Sequence, residues 1–111
     1  MIHSIDEVMR RARGIGHEET RRESEDYLEM VMFRDTLPDI EGLFLNYFGP
    51  ALKPAGREAC EEAERLSNSH GGVSKEQILF HANRENSDQL AMIWPWADGK
   101  RMTVKILQEC P

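Results

Sequence analysis

No stretch of this chain approaches the roughly 20 apolar residues that a membrane-spanning helix needs, so no membrane span is expected. Cysteine is nearly absent. Cys60 and Cys110 are too few for a disulfide framework. Met1 to Arg13 is charged and lacks the apolar centre of a secretory leader. Free thiols in a reducing cytoplasm are therefore expected. Histidine is sparse and scattered. His3, His17, His70 and His81 pair with no second ligand at a zinc spacing, and His17-Glu18-Glu19 lacks the second histidine of a metalloprotease helix. The glycines make no phosphate loop. Gly14-Ile15-Gly16 follows a helical segment, and Gly71-Gly72 precedes a strand, where no helix N-terminus could hold a phosphate. No metal site, no cofactor and no catalytic set are expected from these residues.

Positive charge is also in deficit. Fourteen Lys and Arg against 20 Asp and Glu leave a formal net charge of -6, which works against non-specific binding to nucleic acid or anionic membrane. The nearest approach to a basic patch is Arg10, Arg11 and Arg13 with Arg21 and Arg22. Asp6, Glu7, Glu18, Glu19 and Glu23 dilute it, so it reads as a solvated face of mixed charge.

What is present suits one α+β domain over residues 1–111, with 1–25 a candidate peripheral helical arm. A chain of this length can bury a core without disulfides or a structural metal. Ser4-Ile5-Asp6-Glu7 reads as a capping box, opening a helix over about 5–13 with Ile5, Val8, Met9 and Ala12 on one face. His17 to Asp26 is polar and lacks an apolar stripe, so it reads as a surface segment. The dense apolar run Tyr27–Phe33 reads as a strand; the alternative is a helix extending the charged segment before it.

Thr36 as N-cap and Pro38 in the first turn open a helix over 37–48. Ile40, Leu43, Phe44, Tyr47 and Phe48 form its core stripe, and Gly49-Pro50 stops it. A weaker helix is expected over 57–69, on the same side of the sheet. Cys60 would lie mid-helix among alanines, where a structural role outweighs a nucleophilic one, and Cys110 near a frayed end.

From Gln77 onward the period changes from helical to two. Strands are expected over 78–83, 89–96 and 101–107, making an antiparallel sheet of about four strands with 27–33. Asp98-Gly99 is a hairpin signal whose two central positions would need φ > 0. A two-residue loop there sets Pro95 opposite Met102, Ile93 opposite Val104 and Ala91 opposite Ile106. A four-residue loop Arg84–Ser87 sets Phe80 opposite Ala91 and Ile78 opposite Ile93. Those residues form a uniformly apolar face that should be the core. Pro95 cannot donate to a ladder, so its strand end should lie at an edge or beyond the paired region.

The opposite face carries Leu79, His81, Leu90, Met92, Trp94, Trp96 and Leu107, with Arg101, Thr103 and Lys105 among them. A solvated sheet face should alternate polar-out, and this one is too apolar to be left wet. Its cover could be the N-terminal helix, a second copy of the chain, or a ligand or protein partner. Two functions follow. The first is a non-enzymatic interaction domain, self-associating or serving as an accessory subunit through the face around Trp94 and Trp96. The second is a small-molecule site or modest enzyme for an anionic, partly apolar ligand. It would centre on His81, Trp94, Trp96 and Arg101, with Leu79, Met92, Lys105 and the turn residue Glu85 nearby. The competing reading of His81 is a half-buried strand histidine with a hydrogen-bond partner.

Overall fold

The computed structural model describes residues 2–84 and 86–109. Five antiparallel strands, one more than expected, form a single sheet in the order β1-β2-β5-β4-β3. They are β1 (Glu19–Ser24), β2 (Tyr27–Phe33), β3 (Ile78–Arg84), β4 (Ser87–Pro95) and β5 (Arg101–Glu109). The additional strand is β1. Every one of its residues is exposed, so it has no buried face and leaves no alternation to read. Tyr27–Phe33 is a strand, paired with β5 along its whole length and with β1 over Tyr27–Val31. The first 25 residues supply α1 (Ile5–Ile15) and β1. Ile5, Val8, Met9 and Ala12 of α1 are buried in the main core.

The capping signal at Ser4 works in part as read. Its hydroxyl accepts the Glu7 N–H at 3.2 Å, while the Glu7 carboxylate accepts from the His3 N–H at 3.4 Å. Helix α2 (Leu37–Phe48) has the expected extent, but Thr36 does not cap it. The Thr36 hydroxyl donates to the Phe33 carbonyl at 2.7 Å, and residues 34–36 form a 3₁₀ turn that leads into α2. Ile40, Leu43, Phe44 and Tyr47 are buried against the sheet. Phe44 meets Phe80 edge-on at 5.4 Å between ring centroids.

The expected register is found in detail: Ile78–Ile93, Phe80–Ala91, Ala91–Ile106, Ile93–Val104 and Pro95–Met102. Both turns differ from expectation, yet each keeps the parity that fixes the register. Arg84 pairs with Ser87, so the first loop has two residues rather than four, with Asn86 at φ +62°. Glu85 lies outside the described residues, as does Cys110. In the second turn Asp98 does not adopt φ > 0; Asn86 is the described non-glycine residue that does. The Gly99 N–H donates to the Trp96 carbonyl at 3.2 Å, and the Trp96 N–H to the Arg101 carbonyl at 2.9 Å. The chain therefore reverses over 97–100. The Asp98 carboxylate accepts the Lys100 and Arg101 N–H groups at 2.9 and 3.0 Å, the local hydrogen bonding that makes aspartate a turn residue. Pro95 ends β4 beyond the end of β3, whose pairing with β4 starts at Ile78–Ile93, so its missing N–H breaks no ladder.

One placement is corrected. The helix expected over 57–69 on the side of α2 is shorter, α3 (Glu61–Ser67), and lies on the opposite face. Helices α1 and α2 already fill the inner face, and the chain leaves it at the β3 edge. There the Lys53 and Leu79 backbones exchange hydrogen bonds at 3.1 and 3.0 Å. From that bridge it crosses to the outer face, where Ala63 and Leu66 of α3 join Leu79, Leu90, Met92 and Leu107 in a second core. Cys60 is then not mid-helix: it stands at the N-cap of α3, exposed and with a free thiol.

Candidate functional site

The outer face expected to need a cover has one, supplied by the chain itself and not by the N-terminal helix. Of the residues expected to form a site there, Leu79 and Met92 are fully buried beneath α3. Trp94 is half-buried. The Lys105 ammonium sits 3.6 Å from its ring centroid, a cation–π contact. Gly71 abuts the same ring, where an added Cβ would lie 2.6 Å from Trp94 Cη2. The Trp94 indole N–H is buried and finds no partner among the described residues. Burial lowers the Lys105 pKa, partly offset by Glu29, and its ammonium donates to the His70 carbonyl at 3.2 Å. His70 in turn bonds Glu109. Tyr27 donates to Glu29 at 2.7 Å, and burial, then that bond, raise the phenol pKa.

His81 lies apart from the tryptophans. Its Nε2 meets the Asp88 carboxylate at 2.9 Å, and Asn83 donates to the same oxygen at 3.1 Å. These two bonds, His81 first, hold the Asp88 carboxyl below its usual range. His81 lines neither of the clefts of about 590 and 640 Å³. Arg101 is committed as well, to Glu18 at 3.0 Å and Asp98 at 2.9 Å. The sheet therefore does not gather His81, Trp94, Trp96 and Arg101 around one concavity.

A concavity does exist elsewhere, at the end of the inner face near the 97–100 turn. It is a cleft of about 590 Å³ between α2, the connector after it and the sheet. Its floor is the buried side chains of Ile78, Phe80, Ile93 and Met102. Leu37, Glu41 and Leu45, one helical turn apart, form the α2 wall. Ala51, Pro54 and Ala55 form the facing wall with Glu76. Pro95, Trp96 and Ala97 close the end, and Arg34 stands at the corner where β2 enters α2. Of the expected site residues, Trp96 is among those that border it. Its indole, however, is tied to the outer face: the N–H donates to Thr103 Oγ1 at 2.8 Å, and the Arg21 guanidinium stands 5.4 Å from its ring centroid. Pockets of this size suit small ligands, and an apolar lining with a few charged groups is their usual composition.

The sequence signal for this cleft was Leu37 and Leu45, apolar but off the core stripe of α2. Leu45 remains 49% exposed on the cleft rim. Periodicity could not show that the connector would stand away from α2 and leave that stripe facing open space.

No family model, curated protein sequence or solved structure matches the chain. Among the described residues, no helix is long and apolar enough to cross a membrane.

Proposed function

We propose that this chain is a small-molecule-binding domain whose ligand places an apolar body in the cleft between α2 and the sheet. The observation that carries this reading is the cleft itself: about 590 Å³, with a floor of Ile78, Phe80, Ile93 and Met102 and an exposed leucine on its rim. Burying an apolar ligand there gains about 25 cal/mol per Å² removed from water. Self-association through the tryptophan face is the weaker reading, because α3 already covers Leu79, Leu90 and Met92 and Gly71 abuts Trp94. A reducing, cytoplasmic setting suits the exposed free thiol of Cys60.

The test is titration with a neutral, polarity-sensitive naphthalene dye, on the wild-type chain and two cleft variants. Leu45→Glu and Ala55→Trp change exposed residues, so the fold should survive both. Binding to the wild type, weakened about tenfold or more by either variant, is the expected result. Binding that ignores both variants would place the dye elsewhere and refute the reading.

A further inference from the structure

The cleft carries charge in an ordered way. Arg34 stands at the β2–α2 corner. Glu41 lies one turn beyond Leu37 on the α2 wall, and Glu76 is on the facing wall. Arg34 and Glu41 are each half-buried, and neither side chain forms a hydrogen bond or ion pair with any described residue. Half-buried charges beside an apolar floor lose hydration, and a ligand group of opposite sign restores it. The depression adjoining Arg34 is of mixed charge, lined by Asp35, Lys100 and the Arg101 already paired with Glu18 and Asp98, and the Arg34 N–H donates to the Lys100 carbonyl at 2.8 Å. The deeper part of the α2 wall is anionic.

Resting on the small-molecule reading, we propose that the cleft selects a short apolar zwitterion. Its carboxylate meets Arg34, its ammonium meets Glu41 with Glu76 opposite, and its apolar middle lies on Phe80, Ile93 and Met102. Seven positions of 3₁₀ turn and α-helix separate Arg34 from Glu41, roughly 10–12 Å of rise. An extended tripeptide spans about the same length. An apolar di- or tripeptide with both ends free is therefore the chemical class. Neither a simple fatty acid nor a simple alkylamine satisfies both charges: each leaves one wall unpaired and sets its apolar end against the other.

The experiment is isothermal titration calorimetry with Ala-Leu-Ala in four forms: free, N-acetylated, C-amidated and doubly capped. Each is measured on the wild type, Glu41→Gln and Arg34→Gln, with circular dichroism confirming the fold. The free peptide should bind best. Acetylation should weaken binding about fivefold on the wild type and have no further effect on Glu41→Gln, the magnitude expected of a partly exposed ion pair. Amidation should behave likewise with Arg34→Gln. Equal binding of all four forms, or caps whose effects ignore the two substitutions, would overturn the zwitterion proposal. So would a failure of every peptide to bind while the neutral dye still does. In these cases the cleft would remain a site for a differently charged ligand. If the dye also failed, the underlying reading would fall with the proposal.

Discussion

Gly71 is the point at which the chain seals its own tryptophan face, and replacing it by alanine tests that seal. The residue has φ +99°, and a methyl there would stand 2.6 Å from Trp94 Cη2 and 3.2 Å from Cζ2. Two costs follow. A non-glycine residue in left-handed backbone costs about 1–2 kcal/mol. Overpacking the indole, which Lys105 also contacts, costs about 1–3 kcal/mol more. Gly72 separates the two: its φ is +74° and nothing lies within 4 Å of an added Cβ. Gly72→Ala should therefore show the first cost alone, and Gly71→Ala the sum, about 2–5 kcal/mol. At about 2.1 cal/mol/K of unfolding entropy per residue, a loss of 3 kcal/mol lowers Tm by about 13 °C. Urea unfolding followed by tryptophan fluorescence measures both variants, and repeating Gly71→Ala in a Trp94→Leu background removes the clash. If Gly71→Ala costs no more than Gly72→Ala, or costs the same without Trp94, then Gly71 does not close that face and the reasoning fails.

Three further outcomes are expected. Lys53 is 1% exposed and donates to the Lys75 and Gln77 carbonyls, so Lys53→Met should cost about 1–3 kcal/mol in urea unfolding by orphaning both oxygens. A neutral effect would show that water replaces the ammonium. Asp88 is held below its usual pKa by His81, so its stabilisation is present above the unfolded value near 3.8 and is lost as pH falls through the lower folded value. Asp88→Asn should accordingly flatten the acid limb of a stability-versus-pH curve, and an unchanged limb would contradict the pairing. Phe80→Ala removes a ring that packs edge-on against Phe44 and floors the cleft. It should cost about 3–5 kcal/mol by thermal denaturation, and a cost below 1 kcal/mol would show that the ring is not part of the core.

The sheet register was legible because period-two runs and loop parity are local facts. Ile78, Phe80, Ala91, Ile93, Val104 and Ile106 alternate too strictly to face any other way, whatever the loops between them do. The inner stripe of α2 was legible for the same reason at helical period. What sequence could not supply was the path of the connector. Whether α3 lies over the inner or outer face depends on the Lys53–Leu79 bridge, a long-range backbone contact with no periodic signature. That single crossing decides that Leu90, Met92 and Leu107 are covered from within. It also leaves the Leu37–Leu45 stripe facing a cleft rather than a helix. The hydrogen-bond partner of His81 was hidden for a related reason. Asp88 looks seven residues distant in the chain, but the tight turn at Asn86 brings it to the imidazole.

The central claim is that ligands enter between α2 and the sheet end, and methyl chemical-shift mapping by NMR tests it most directly. Titration with the neutral dye or the free tripeptide should shift the methyls of Leu37, Leu45, Ile78, Ile93 and Met102, which line the cleft. Those of Leu66, Leu79, Leu90 and Leu107, in the core beneath α3, should stay in place. Shifts confined to that second group would contradict the account and return the site to the tryptophan face.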